Sequence, residues 1–574
     1  MTLPFEFQVN QHPEITIPGL GKVKGVLDEV HPVAKFLNVN ERWRPADKAE
    51  PWQDVRDATK DGYSPPQATV ASAFYTEMFG LKPKVVYEDD MSERDCLSLN
   101  IYMPASALTR QEKLPVCVWI YGGGFKVGSI TTPLYDCTQL VSTSIEQNRP
   151  MIMVSINYRI NFFGFISSKE LALDAQTYAN TVPEHLRRWY DGSVGNWGLL
   201  DQILGLEWVR DHIQAFKGDP QRVTVMGESA GSASISCLML IPECRGLFQR
   251  AIMQSGTAST MAAVRPEHGG QRYFDYLCQV FDVPDNLSGT EKVARLRAVP
   301  EKALAEELNT SEILFFTPTL DGVLLKKDAR LATKDSSLYD PGLEWIMMGT
   351  CADEGTIFTG VFKATNPYNT TKLRTRLSAP EDRSMFDQLF GVPETDEDAT
   401  KIAGRLIGDS LFQYPVLQAS EAILAHPFCQ LSRYYFDARV AKTDEKAPTV
   451  KAHHGIDLLY TFGNAMASNL LSAEEMAFSK KVQQVWIEVV TSKSPEESSL
   501  PKVRTPVQRK DIQAEQEPES EAIVLGADLT VGKGAVERLS AKEAGFWKRS
   551  YAYVIEQAQL GRGTEVGIDW FKAL

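Results

Sequence analysis

The sequence predicts an α/β protein with one large, mostly parallel central sheet flanked by helices and carrying helical insertions. Three observations point there. A β-branched run, Val223-Thr-Val-Met226, leads into Gly-Glu-Ser-Ala-Gly231, and a helix-like segment follows. A second run, Leu114 to Tyr121, is apolar almost throughout and ends at three glycines, as suits a strand covered on both faces. Ahead of Val223, the positions Leu199, Ile203, Leu206, Val209, Ile213 and Phe216 recur at steps of three and four, one face of an amphipathic helix. Strand, helix and strand in that order make a βαβ unit, which implies parallel pairing.

The remaining elements follow along the chain. Val23 to Leu27 and Val33 to Val39 suggest an N-terminal hairpin, and Leu97 to Met103 alternates as a strand before Pro104. Met151 to Asn157 is another buried strand. Arg250 to Gly256 and Leu343 to Thr350 repeat the pattern of a short apolar strand ending at small or polar residues, with mostly helical, more polar sequence between them. From Ser492 to Glu521 the chain is rich in Pro, Glu, Lys, Ser and Gln, which cannot bury enough apolar area to order itself, and it reads as a surface loop. Apolar patterning resumes at Ile523 and runs to Phe546-Trp547, so the C-terminal segment is expected to pack back on the same core. No internal repeat is visible. The expectation is one domain over residues 1–574 with residues 492–521 as a surface excursion within it.

Composition restricts the partners. A net charge of −14 and a pI near 5.3 describe an acidic surface that repels phosphate backbones, so nucleic acid is not expected. The N-terminus has neither a basic region nor an apolar core of a signal peptide, and no run is long and apolar enough to span a bilayer. A soluble, cytoplasmic protein is expected. The eight cysteines, Cys96, Cys117, Cys137, Cys237, Cys244, Cys278, Cys351 and Cys429, lack both metal-ligand spacing and the density of a disulfide scaffold, so buried free thiols are expected. Sequons at Asn286, Asn309 and Asn369 carry no meaning without a secretory route.

Gly227-Glu-Ser-Ala-Gly231 has the form of a nucleophile elbow. Two glycines leave room for a strained strand-to-helix turn that exposes the hydroxyl of Ser229 and the N–H of Ala230. A serine hydroxyl needs a base, the base needs an orienting carboxylate, and the developing oxyanion needs donors. Tyr121-Gly-Gly-Gly-Phe125 supplies donors, with Gly123 and Gly124 joining Ala230 in an oxyanion hole. Chain order Ser, acid, His restricts the base to His268, His426, His453 and His454. His268 leaves no room for an acid-bearing strand, and His426 sits in a helix-like stretch. His453 and His454 lie in a loop, and His454, beside Gly455, is the expected base. For the acid, Asp353 and Glu354 follow a strand edge where catalytic groups gather, and Asp321 competes. Spacing leaves all three open.

Assembled in this order, the motifs resemble the type-B carboxylesterase family of carboxylesterases, cholinesterases and fungal lipases. They are Asp95-Cys-Leu-Ser-Leu-Asn100, Tyr121-Gly-Gly-Gly-Phe125, Asn157-Tyr-Arg159, Gly195-Asn-Trp-Gly-Leu-Leu-Asp-Gln202, Gly227-Glu-Ser-Ala-Gly231, Gln254-Ser-Gly256, Asp353-Glu-Gly355, His454-Gly455 and Phe546-Trp547. The resemblance covers most of the chain and implies the α/β-hydrolase fold. It further implies Ser229 as nucleophile, Glu354 as triad acid, His454 as base, Gly123, Gly124 and Ala230 as oxyanion donors, and supporting positions next to the triad for Glu228 and Ser255.

This chain departs from that pattern in places. Ser64 stands where the family has the cysteine that bridges to Cys96, and a second family bridge lacks its first cysteine, so neither disulfide is expected. Phe36 to Trp43 replaces a longer family loop, which would reshape the gorge entrance. Tyr121 takes the place of a frequent histidine without removing a donor. Residues 71–84, with Phe74, Tyr75, Met78, Phe79 and Leu81, occupy the place of a lipase flap or form a packed helix.

The expected function is hydrolysis of small-molecule carboxylic esters through an acyl-enzyme intermediate, with neither metal nor organic cofactor. The alternatives are an acyltransferase or lactonase acting on a small metabolite, a lipase if the flap reading holds, and a non-catalytic adhesion scaffold. Oligomeric state is not legible.

Overall fold

The computed structural model describes residues 12–26, 31–33, 37–38, 42–68, 90–179, 181–182, 184, 194–311, 313–329, 336–356, 384, 387–388, 390–424, 426, 429–440, 452–502, 521–526 and 531–535. The strands in chain order are β1 (Glu14–Ile17), β2 (Gly21–Lys24), β3 (His31–Val33), β4 (Leu37–Asn38), β5 (Asp47–Lys48), β6 (Val55–Asp57), β7 (Leu99–Tyr102), β8 (Leu114–Ile120), β9 (Ile152–Ile156) and β10 (Gly218–Glu228). They continue with β11 (Arg250–Gln254), β12 (Trp345–Cys351), β13 (Gln430–Phe436), β14 (Glu521–Leu525) and β15 (Val531–Ala535). Ten of them form one sheet in the order β15-β14-β13-β12-β11-β10-β8-β9-β7-β3. Pairing is parallel from β9 across to β14, and antiparallel at β14–β15, β7–β9 and β3–β7.

Parallel neighbours are joined by crossovers that place helices on the sheet faces, and the strand residues are buried accordingly. All seven residues of β8, all five of β9 and all seven of β12 are buried. Each large apolar side chain buried this way contributes about 1.5–3 kcal/mol of transfer free energy. Ile523 and Leu525 of β14 belong to the same core, so the chain does return to the sheet after residue 521. The first part of the 492–521 segment stays on the body: Arg250 donates to the carbonyls of Ser492 and Lys493, and Ser432 to that of Pro501. Phe546-Trp547 and the 71–84 segment lie outside the described residues, as do residues 36 and 39–41 of the 36–43 loop.

Two expectations need correction. The N-terminal hairpin is β1 with β2, so Val23 pairs with Ile15, and His31–Val33 instead joins the large sheet beside β7. The Trp197–His212 helix, continued by a tighter turn over Ile213–Phe216, is buried on every side from Trp197 to Val209. Its polar face meets protein: Asp201 receives both Nε and Nη2 of Arg159 at 2.7 Å, with both side chains essentially inaccessible. The Asn157-Tyr-Arg159 and Gly195–Gln202 motifs therefore meet in a buried ion pair, which apolar periodicity cannot reveal.

All eight cysteines are free and buried. Ser64 spends its hydroxyl on Ser129 and Thr131, at 2.9 and 3.0 Å, and Cys96 lies unbridged. No helix among the described residues is long and apolar enough to cross a membrane.

Candidate active site

β10 passes into the helix Ala230–Leu238 through a single residue, Ser229. The turn closes because its glycines have no side chain: a Cβ on Gly231 would fall 2.0 Å from the carbonyl oxygen of Ile120. Ser229 takes φ 53° and ψ −120°, a conformation costing about 1–3 kcal/mol in a residue with a side chain. It is held there by its N–H, which donates to Gln254 O at 2.9 Å, and by its carbonyl, which accepts from Ala233 at 2.9 Å. Ala230 opens the helix, where N–H groups have no intrahelical acceptor and the dipole favours negative charge.

The glycine run leaves β8 alongside this turn. Gly123 and Gly124 adopt φ of 112° and 63°, open to glycine at little cost, and a Cβ on Gly122 would lie 3.0 Å from Cβ of Ser229. Behind the run, Tyr121 donates its hydroxyl to Tyr158 O at 2.9 Å and Tyr158 returns the bond to Tyr121 O at 2.7 Å. Their rings stack with centroids 4.4 Å apart. Tyr121 thus ties the start of the glycine run to the end of β9.

Glu354 lies just past β12, and His454 in the loop before the short helix Asp457–Phe462. His454 Nδ1 is 2.6 Å from Glu354 Oε2, and its Nε2 is 3.0 Å from Glu228 Oε1, beside Ser229. The other oxygen of Glu354 accepts Ser255 Oγ at 2.6 Å and Cys351 N at 2.7 Å. The structure therefore brings Glu228, Ser255, Glu354 and His454 into one buried cluster at the carboxyl ends of β10, β11 and β12, where open α/β sheets gather ligands. The carboxylates left open by spacing separate here. Asp321 accepts the backbone N–H of Val323 and Leu325 in a turn of its own, and the backbone of Asp353 bridges to that of His453. His453 turns its Nδ1 onto the carbonyl of His454 at 2.8 Å. His426 lies just beyond the Tyr414–Leu424 helix.

Electrostatics favour a proton in this cluster. Burial pushes Glu228 up to about 8, against an opposing pull from His454. Burial draws the His454 imidazole down, but Glu228 and Glu354 outweigh it and raise it to about 9. The two groups lie 3.0 Å apart and titrate as a pair, and both shifts favour keeping a proton there.

The sequence reading missed the layer behind this cluster. Asp457 is fully buried, and its Oδ2 accepts Gln254 Nε2 at 2.9 Å and Tyr434 OH at 3.0 Å. Gln254 thus holds Ser229 through its backbone and Asp457 through its side chain. Its place next to Ser255 was the available signal. Phe412 was missed as well, and its ring centroid lies 4.2 Å from that of His454.

A parallel sheet whose central strand runs into a serine at positive φ, with an imidazole–carboxylate pair meeting the residue before that serine, defines an α/β-hydrolase. The family model described as "Carboxylesterase family" matches residues 11–181 and 185–522. The chain belongs to the carboxylesterase family and is a carboxylic ester hydrolase. It is similar to the para-nitrobenzyl esterase of Bacillus subtilis (strain 168), 30% identical over 90% of this chain and 96% of the relative. It is also similar to the liver carboxylesterase of Sus scrofa, 30% identical over 92% and 90%. Among solved structures, a PNB esterase superposes with a TM-score of 0.68 at 26% identity, covering 93% of this chain and 99% of the other. A Geobacillus stearothermophilus carboxylesterase reaches 0.70 at 24% identity over 93% and 99%, a likeness of fold.

Proposed function

We propose that this chain hydrolyses small-molecule carboxylic esters in two steps, with Ser229 as nucleophile, His454 as base and Glu354 as the acid that orients it. The observation that carries the reading is the imidazole of His454, hydrogen-bonded through Nδ1 to Glu354 at 2.6 Å and directed through Nε2 toward the residue preceding Ser229. Glu354, which accepts hydrogen bonds from Ser255 and Cys351, keeps the Nδ1 proton in place and leaves Nε2 to accept.

In the first step Ser229 Oγ bonds to the ester carbonyl carbon while its proton passes to Nε2. The carbonyl oxygen becomes an oxyanion facing the N–H groups of Gly123, Gly124 and Ala230. The C–O bond to the alcohol then breaks, and the alkoxide leaves with the proton held on Nε2. In the second step water attacks the acyl-serine, gives its proton to Nε2, and Ser229 departs as the hydroxyl with that proton. Acid is released and no electrons are exchanged. Glu228, beside the imidazolium at its most charged, favours that state.

The test is the initial rate of p-nitrophenyl ester hydrolysis from acetate to palmitate, with wild type and Ser229→Ala side by side. Serine-dependent turnover supports the reading, and the acyl length giving the highest kcat/KM assigns the substrate class. Turnover that survives Ser229→Ala contradicts it.

A further inference from the structure

We propose that the irregular turn Asp409–Gln413 is a positioning device for the base, with Phe412 lying against the face of His454 to fix its ring plane. The proposal rests on the triad reading above.

The helix Asp396–Gly408 continues into Tyr414–Leu424 only through a π-helical turn, Asp409–Gln413, in which Tyr414 N–H reaches back five residues to Asp409 O. Pro415 explains part of this, because it has no N–H to give the α-helical ladder. A widened turn is less stable than α-helix and persists where its surroundings hold it. Here they do. Gln413 accepts Thr350 Oγ1 at 2.7 Å and donates to Cys351 O at 2.7 Å, so the turn is fastened to the end of β12. Cys351 N–H in turn donates to Glu354. The helix backbone also rests on the Glu354–Gly355 turn, where a Cβ on Gly408 would fall 2.7 Å from Gly355 N. One segment therefore touches both members of the imidazole–carboxylate pair.

Phe412 has a specific task in that arrangement. Glu354 and Glu228 meet the two ring nitrogens at 2.6 and 3.0 Å, but neither bears on a face of the ring, whose sp³–sp² torsion is broad. Phe412 lies on a face of the ring, 4.2 Å between centroids and tilted 38°. Rocking would carry Nε2 away from Glu228, the residue preceding Ser229. Phe412 is only 1% exposed, so it is packed against the base and does not form an open wall for substrate. It reaches the reaction through His454 and is a positioning residue.

The experiment compares the full-length wild type with Phe412→Leu, Phe412→Tyr and Gln413→Leu, with Ser229→Ala as control. Readouts are kcat and KM on a p-nitrophenyl ester and the low-field proton resonance of His454 Nδ1–H, assigned by its loss in His454→Gln. Phe412→Leu is expected to lower kcat by about ten- to a hundredfold, the scale of a misplaced catalytic group, with KM within about twofold. Its low-field resonance is expected to broaden. Phe412→Tyr, which keeps the ring, is expected to stay within about threefold of wild type. Gln413→Leu, which loosens the turn and leaves Phe412 in place, is expected to change in the same direction as Phe412→Leu.

Wild-type kcat in Phe412→Leu with Ser229→Ala inactive overturns this proposal alone. So does a loss that Phe412→Tyr shares in full, or a change confined to KM. If Phe412→Leu does not fold, wild-type kcat and resonance in Gln413→Leu overturn it. Activity in Ser229→Ala overturns the triad reading instead.

Discussion

Nδ1 of His454 lies 2.6 Å from Oε2 of Glu354, a residue 100 positions earlier in the chain. A carboxylate that only balanced charge would serve almost as well at a longer distance, whereas this contact also sets which nitrogen carries the proton. Glu354→Gln is therefore expected to keep the fold and lower kcat by about 10³- to 10⁴-fold with little change in KM. Steady-state kinetics on a p-nitrophenyl ester checks this.

Ser255 supplies one of the hydrogen bonds to the other oxygen of Glu354, at 2.6 Å. Ser255→Ala leaves the Cys351 N–H in place. The expected loss in kcat is about tenfold, corresponding to about 1.4 kcal/mol, well short of the Glu354→Gln effect.

Strain at the elbow should be visible in stability. Ser229 at φ 53° favours a residue without Cβ, so Ser229→Gly is expected to be more stable than Ser229→Ala by about 1 kcal/mol, although both lack the nucleophile. Urea unfolding midpoints of the two inactive variants decide it. Equal midpoints would mean the turn stores no strain.

The pH dependence follows from the carboxylates around the base. His454 accepts the serine proton only when neutral, and its pKa is raised to about 9 by Glu228 and Glu354 against the effect of burial. The value of kcat/KM should then rise with pH through the alkaline range toward about 9. Glu228→Gln removes one of the charges that raise the imidazole, so its acid limb should move to lower pH. For stability the sign is the reverse of activity. The native state holds this proton more tightly than the unfolded chain, so the contribution is present below about pH 6.5 and lost as pH rises through about 9. Thermal unfolding across that window should show the decline, and it should be shallower in Glu228→Gln.

Much of this site was legible in the chain because its parts obey local rules. The elbow needs glycines two residues before and after Ser229, and the oxyanion loop needs glycines at positive φ. Both requirements leave letters in the sequence. The acid was not separable by spacing, since Asp353 and Glu354 are neighbours and only the path of the chain after β12 decides which meets the imidazole. The Gln254–Asp457–Tyr434 layer joins three distant segments, and Phe412 depends on a helical irregularity without its own periodicity. The Trp197–His212 helix reads as amphipathic because pairing of Asp201 with Arg159 removes a polar face from water without altering the apolar pattern. The N-terminal hairpin was mispaired because alternation marks a strand and not its partner.

The most direct measurement is the mass of the active-site peptide after inactivation by a p-nitrophenyl phosphonate, which phosphonylates an activated serine as p-nitrophenol leaves. One phosphonyl group per chain on Ser229, formed in step with loss of esterase activity and greatly slowed in Glu354→Gln, is the result the triad predicts. Inactivation with the label on another residue, or full labelling of Ser229 with esterase activity intact, would contradict it.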